Sequence, residues 1–293
     1  MIYCKVEERQ APLILYRSMS LSQLVKAVEE ADSSRKLFEA VQNLANARLE
    51  GAIPTLIEAL SYNNPGAAVA AVDGLTLLGN PAVPALLELL DMHNYTARSW
   101  AIRALAEIGD PRGLVTLLGV ATADFAFSVR RAAVKGLGLM KWHWFPDELR
   151  EIAQEEALEA LLFVAQQDDE WVVRYAAVVG LQALSLTIAD TYPQWRSQIQ
   201  EYLDQMANSE ENLAVRARVW LALQHIQQNI SKNIHTSSGI AAIAENKSSL
   251  TTDDWQGILN QLYEIKRQER AKNLEEGDPR RFQKLALEIQ NKS

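Results

Sequence analysis

One short helix is written four times in this 293-residue chain. The copies run from Ala97-Arg98 to Leu105, Val129-Arg130 to Leu137, Val173-Arg174 to Leu181 and Val215-Arg216 to Leu223. Each has an Arg, a Leu seven residues later, and a small residue just before that Leu: Ala104, Gly136, Gly180 or Ala222. A fifth copy, Ala68 to Leu75 with Gly74 at the small position, lacks the Arg. Units of this size have no core of their own and must bury their apolar faces against neighbours, so the pattern predicts an all-α solenoid with an extended surface. The small position lets adjacent helices approach closely, because a larger side chain there would hold the backbones apart.

The spacing agrees. Ala68 to Arg98 is 30 residues and Arg98 to Arg130 is 32, whereas the next steps are 44 and 42, so two plain repeats precede two that carry insertions. A second apolar helix lies between the Arg-bearing ones in most units, as in 52–60, 82–90 and 157–165. The connectors Gly79-Asn80-Pro81 and Gly109-Asp110-Pro111 are stop and start signals: Gly ends one helix and Pro occupies the first turn of the next. Paired antiparallel helices of this length are the α-solenoid unit.

The formal charge of −8 argues against nonspecific nucleic-acid binding, which needs a dense basic surface. A single cysteine, Cys4, excludes an internal disulfide framework and a multi-cysteine metal site. With no apolar run near the roughly 20 residues that span a bilayer, no membrane insertion is expected and the chain reads as cytoplasmic.

The ends differ from the middle. Residues 1–18 form an N-terminal extension, either a non-core appendage or the result of an upstream start, and Cys4 within it reads as an ordinary exposed thiol. Residues 19–227 are the repeat domain, 228–250 a Ser- and Asn-rich linker, and 251–293 a helical extension. In that extension Thr251-Thr252-Asp253-Asp254 is a helix start, and Trp255, Ile258, Leu259, Leu262 and Ile265 fall on one apolar stripe.

No Ser/His/Asp arrangement, phosphate loop or spaced carboxylate pair stands out. His93, His143, His225 and His235 are scattered, as surface or packing residues are, and no metal site is expected. Aromatic and Arg residues do cluster beside the repeat helices: Tyr95, Arg98 and Trp100; Asp124, Phe125, Arg130 and Arg131; Trp171, Arg174 and Tyr175, with Trp142 to Phe145 filling the first insertion. The repeated Arg has a structural reading, pairing with an acid of an adjacent turn or capping the preceding helix. Trp100 and Trp220 likewise have a core reading. Arg131 lies next to a repeated Arg and therefore points to a different face. The functional reading is a flat, conjugated, anionic ligand, its π-system stacked on aromatic rings and its carboxylates held by Arg.

The segments Tyr62 to Leu75, Asn94 to Arg98, Ala101 to Leu105, Gly109 to Arg112, Asp124 to Ala133 and Trp171 to Ala177 closely resemble the HEAT-like phycobilin lyases of cyanobacteria, nearest to the F-type subunit of the E/F-type phycocyanobilin lyases. The resemblance covers roughly residues 19–227. It implies an enzyme subunit that works with an E-type partner, takes up an open-chain bilin as substrate rather than cofactor, and delivers it to a phycobiliprotein cysteine, the α subunit of phycocyanin being favoured. The nucleophile then belongs to the substrate protein. The implied bilin contacts are Tyr62, Asn63, Asn64, Tyr95, Arg98, Trp100, Arg130, Arg131, Trp171, Arg174 and Tyr175; Asp124 and Asp73 are the candidate catalytic carboxylates, keeping the pyrrole nitrogens protonated. Subunits that also isomerise the bilin carry Cys and His in the loop that is Asn63-Asn64-Pro65-Gly66 here, so lyase activity without isomerase is expected. Related repeats serve phycoerythrin, or act without catalysis in chromophore removal and phycobilisome degradation, and both readings stay open on sequence alone.

Overall fold

The computed structural model describes residues 19–90, 94–188 and 191–235, together with Gly257 and Asn260. The N-terminal extension, His93, and the expected C-terminal helices apart from those two positions lie outside the described residues. The described residues form twelve α-helices and no strand: α1 (Leu21–Glu29), α2 (Ser34–Ala47), α3 (Ile53–Ala59), α4 (Pro65–Leu78), α5 (Val83–Leu90), α6 (Tyr95–Ile108), α7 (Leu114–Ala123), α8 (Phe127–Gly138), α9 (Asp147–Gln167), α10 (Trp171–Ile188), α11 (Pro193–Ser209) and α12 (Leu213–His235). The residues expected to make one repeat domain fall into two compact units, divided within α6 between Ala104 and Leu105.

In the first unit, α4 packs on α2 and α3. Side-chain caps start three of these helices: Ser20 and Gln23 form a capping box for α1, Ser33 caps α2, and Asn64 caps α4 through the Ala67 N–H. A Cβ on Gly74 would meet the Ala45 Cβ at 2.6 Å, so the small position brings α4 against α2 as the repeat pattern requires.

The second unit has two layers. The Arg-bearing helices α8, α10 and α12 pack side by side, α10 in the middle, while α7, α9 and α11 back them. A Cβ on Gly136 would meet that of Ala106 at 2.6 Å, and one on Gly180 would meet the Val134 carbonyl oxygen at 2.8 Å. Leu105, Leu137, Leu181 and Leu223 are all buried. Helix α10 is long and apolar enough to cross a membrane by composition, contrary to expectation, but its place between α8 and α12 makes it the central core helix.

Two details differ from the sequence reading. Gly79 and Gly109 do end helices in the left-handed region (φ 71° and 67°), yet Pro81 and Pro111 sit in short 3-10 turns, Asn80–Ala82 and Pro111–Gly113, ahead of α5 and α7. The expected linker start at residue 228 is also corrected, because α12 continues to His235. Its last turns are rich in Gln, Asn, Ser and Lys and so look like a linker in sequence, although Ile226, Ile230 and Ile234 keep a four-residue apolar spacing.

Candidate functional site

The repeated Arg forms a ladder. Arg130 forks onto the Asp168 carboxylate, Nε at 2.7 Å and Nη2 at 2.9 Å, while its Nη1 donates to the carbonyls of Asp124 and Phe125. Arg174 repeats this one unit on: Nε and Nη2 donate to Glu210 at 2.9 and 2.8 Å, and Nη1 to the carbonyls of Asp168 and Asp169. Each Arg thus caps the C-terminal end of the helix before its own and grips the acid of the next unit. The acids are used twice, since Asp168 also accepts from the Glu170 N–H and Glu210 from the Asn212 N–H. Asp124 holds the equivalent position and accepts from the Ala126 N–H at 2.8 Å. Hydrogen bonding to the carboxylates raises both guanidinium pKa values, and Arg174 holds the Glu210 carboxyl below the usual range.

This geometry gives Arg130 and Arg174 a different task from anion binding, because their forks are filled by protein carboxylates. Asp124, buried and serving as a cap, is likewise in the ladder rather than open to a ligand. Arg218 is a further buried tie between the helices: it donates to Gln182 Oε1 at 2.7 Å, and burial lowers its pKa. In the first insertion, Trp142 is buried and stacked on Phe145 at 5.3 Å, with Arg150 donating to both carbonyls; this cluster is core.

What remains is the outer face of the Arg layer. Residues four apart share a helix face, and three such stripes lie parallel: Phe127, Arg131 and Lys135 on α8; Trp171, Tyr175 and Val179 on α10; Leu213, Ala217 and Leu221 on α12. Phe127, Arg131, Lys135, Trp171 and Tyr175 are all exposed. Arg131 and Lys135 have no ion-pair or hydrogen-bond partner for their side chains among the described residues. A cationic stripe therefore runs beside an aromatic one on adjacent helices, the combination that a flat polyanion needs. Sequence reasoning found Arg131, Trp171 and Tyr175 but missed Phe127 and Lys135. Register would have found them, because Phe127 stands three residues before its motif Arg, as Trp171 does.

The candidates of the first unit are dispersed in role. Asn64 is buried, donating to the Ser34 carbonyl at 2.8 Å while capping α4, so the structure assigns it to the fold. Asn63 is exposed. Tyr62 is half-buried and lines a cavity of about 400 Å³ with Val28, Leu37 and Glu58; burial, then the charges of Glu58 and Glu29, push its hydroxyl pKa up. Asp73 is exposed on α4. Tyr95 and Arg98 lie in the first turn of α6, and the half-buried Trp100 ring has the Arg103 guanidinium 5.7 Å from its centroid.

The HEAT repeat family matches residues 53–138 and 93–182. A phycocyanobilin lyase subunit beta of Pseudanabaena tenuis is 72% identical over 273 residues, which cover 92% of this chain and 97% of that protein. The chain belongs to the HEAT-repeat phycobilin lyase family. That alignment is longer than residues 19–227, so membership extends into the ends that the resemblance left out. A phycobilisome maturation protein of Synechococcus elongatus is 48% identical over 71% of this chain and 99% of its own length. Among solved structures, the complex of CpcE and CpcF of phycocyanin lyase from Nostoc contains a chain 49% identical, with a TM-score of 0.54, covering 59% of this chain and 98% of that one. The family's enzymes are bilin lyases, and this chain is a subunit of one.

Proposed function

We propose that this chain is the F-type half of a heterodimeric lyase that attaches an open-chain tetrapyrrole to a cysteine of the phycocyanin α subunit. The observation that carries the reading is the exposed pairing of Arg131 and Lys135 with Trp171 and Tyr175. In this reading the aromatic rings stack on the bilin and the two cations hold its propionates, each charged hydrogen bond contributing about 1.5–3 kcal/mol when desolvated. The E-type partner, the kind of protein found with CpcF in the Nostoc complex, completes the site. The bilin is substrate, and no resident cofactor is invoked.

The chemistry is an addition. The substrate thiolate forms a carbon–sulfur bond to the exocyclic ethylidene carbon of ring A, the double bond opens, and the adjacent ring carbon takes the proton; no oxidant enters. The lyase contributes orientation, presenting one face of one conformer to the thiol. The loop Asn63-Asn64-Pro65-Gly66 supplies neither thiol nor imidazole for double-bond migration, so the product loses only the ethylidene double bond that the addition consumes and keeps the rest of the bilin's conjugation.

Co-expression with an E-type subunit, phycocyanobilin and apo-α-phycocyanin tests this. Covalent zinc-enhanced fluorescence on a denaturing gel should appear only when both subunits are present, with the absorbance of unisomerised adduct. Full attachment by this chain alone would overturn the heterodimer, and a product blue-shifted beyond the simple thioether adduct, lacking one further conjugated double bond, would overturn the claim about the loop.

A further inference from the structure

The ladder has an open end. Arg216 holds in α12 the place that Arg130 and Arg174 hold in α8 and α10, but its side chain has no acid of a following unit among the described residues. The packing is open there too. Trp220 is four residues past its motif Arg, where Val134 and Val178 are fully buried; Trp220 is 62% exposed. Leu213 and Leu221 flank it and are also exposed. Among the described residues no further helix lies side by side with α12 on this face, and an indole left in water beside two leucines is a surface built to be covered.

The chain itself carries a fitting cover. The ladder acids Asp124, Asp168 and Glu210 are 44 and 42 residues apart, and Asp253 follows Glu210 by 43. An aromatic residue, Trp255, follows Asp253 two residues on, one residue closer than Trp171 follows Asp168. Gly257 and Asn260 are helical and exposed, and on a helical wheel they lie opposite the stripe Trp255, Ile258, Leu259, Leu262 and Ile265. From His235 to Asp253 the chain reaches up to ~60 Å when extended, whereas Arg216 lies only about 29 Å back along α12.

We propose that residues 253–265 dock on the exposed face of α12, with an Asp253 or Asp254 carboxylate on Arg216 and the apolar stripe over Trp220, supplying the final rung and capping the solenoid. Terminal units of a repeat array need such a cover to keep their apolar edge from other chains.

Cross-linking in the full-length chain, with Cys4→Ser to remove the native thiol, tests this. A short bismaleimide should link Ala217→Cys to Leu259→Cys within one molecule, and at least five-fold less to Gly257→Cys on the opposite side of the helix. Arg216→Glu should reduce the link at least three-fold, and adding D253R/D254R should restore it. Equal linking of both pairs, linking only between two molecules, which would make a second copy the occupant, or linking that is insensitive to Arg216 would each overturn the proposal.

Discussion

Replacing Arg174 by Ala separates a stacking ladder from a ligand site. The substitution removes two donors from Glu210, whose side chain is 5% exposed, and leaves that carboxylate with the Asn212 N–H alone; it also frees the carbonyls of Asp168 and Asp169. Breaking a fully buried pair costs about 3–5 kcal/mol, but the Arg174 side chain is 18% exposed and water reaches it, so about 2–3 kcal/mol is expected. For a chain of this size that corresponds to a fall in Tm of roughly 3–5 °C. Circular dichroism at 222 nm measures it. Arg174→Lys keeps the charge but loses the fork and should recover less than half. Because both partners act together, Arg174→Ala and Glu210→Ala should be non-additive, with a coupling of about 1–2 kcal/mol. A Tm within 1 °C of the parent for Arg174→Ala, with bilin transfer lost, would refute the ladder and return Arg174 to the ligand.

Acid should weaken the same rung: the depressed Glu210 pKa contributes stability above the ordinary carboxylate value near 4.5, and that contribution is lost as pH falls through the lower folded-state value. Chemical denaturation at falling pH should therefore show a flatter profile for Glu210→Gln than for the parent. Gly180→Val places atoms where Val134 O and Leu161 Cδ2 already stand, at 2.8 and 2.7 Å from a Cβ, and should destabilise the fold by at least ~1–3 kcal/mol in a urea titration. Of the two candidate carboxylates, Asp124→Asn should lower the Tm, whereas Asp73→Asn should leave it unchanged and lower the transfer rate if that group serves the bilin.

The solenoid was legible because its signal is repetition. The Arg, the small residue and the buried Leu recur in register, and stacking needs each of them, so periodicity reads out packing directly. The same regularity hid the split between Arg130 and Arg131. Adjacent in sequence, they point about 100° apart on the helix, and only the positions of Asp168 and Glu210 show that the repeated Arg is consumed by the fold. Asn64 misled for a similar reason, since a helix cap and a polar ligand contact use the same amide chemistry. Lys135 and Phe127 went unseen because neither stands out until the three outer stripes are aligned. The length of α12 escaped because the Gln, Asn, Ser and Lys around Ile226, Ile230 and Ile234 read as a polar linker.

The central claim, that the outer face of α8 and α10 holds the bilin while the repeated Arg holds the stack, is tested most directly by one titration. Phycocyanobilin is titrated by absorbance against the complex with the E-type partner, comparing the parent with Arg131→Ala/Trp171→Ala. Affinity should fall by at least ten-fold while the Tm stays within about 2 °C, as surface substitutions allow. Unchanged affinity and transfer in a folded double variant would contradict the account.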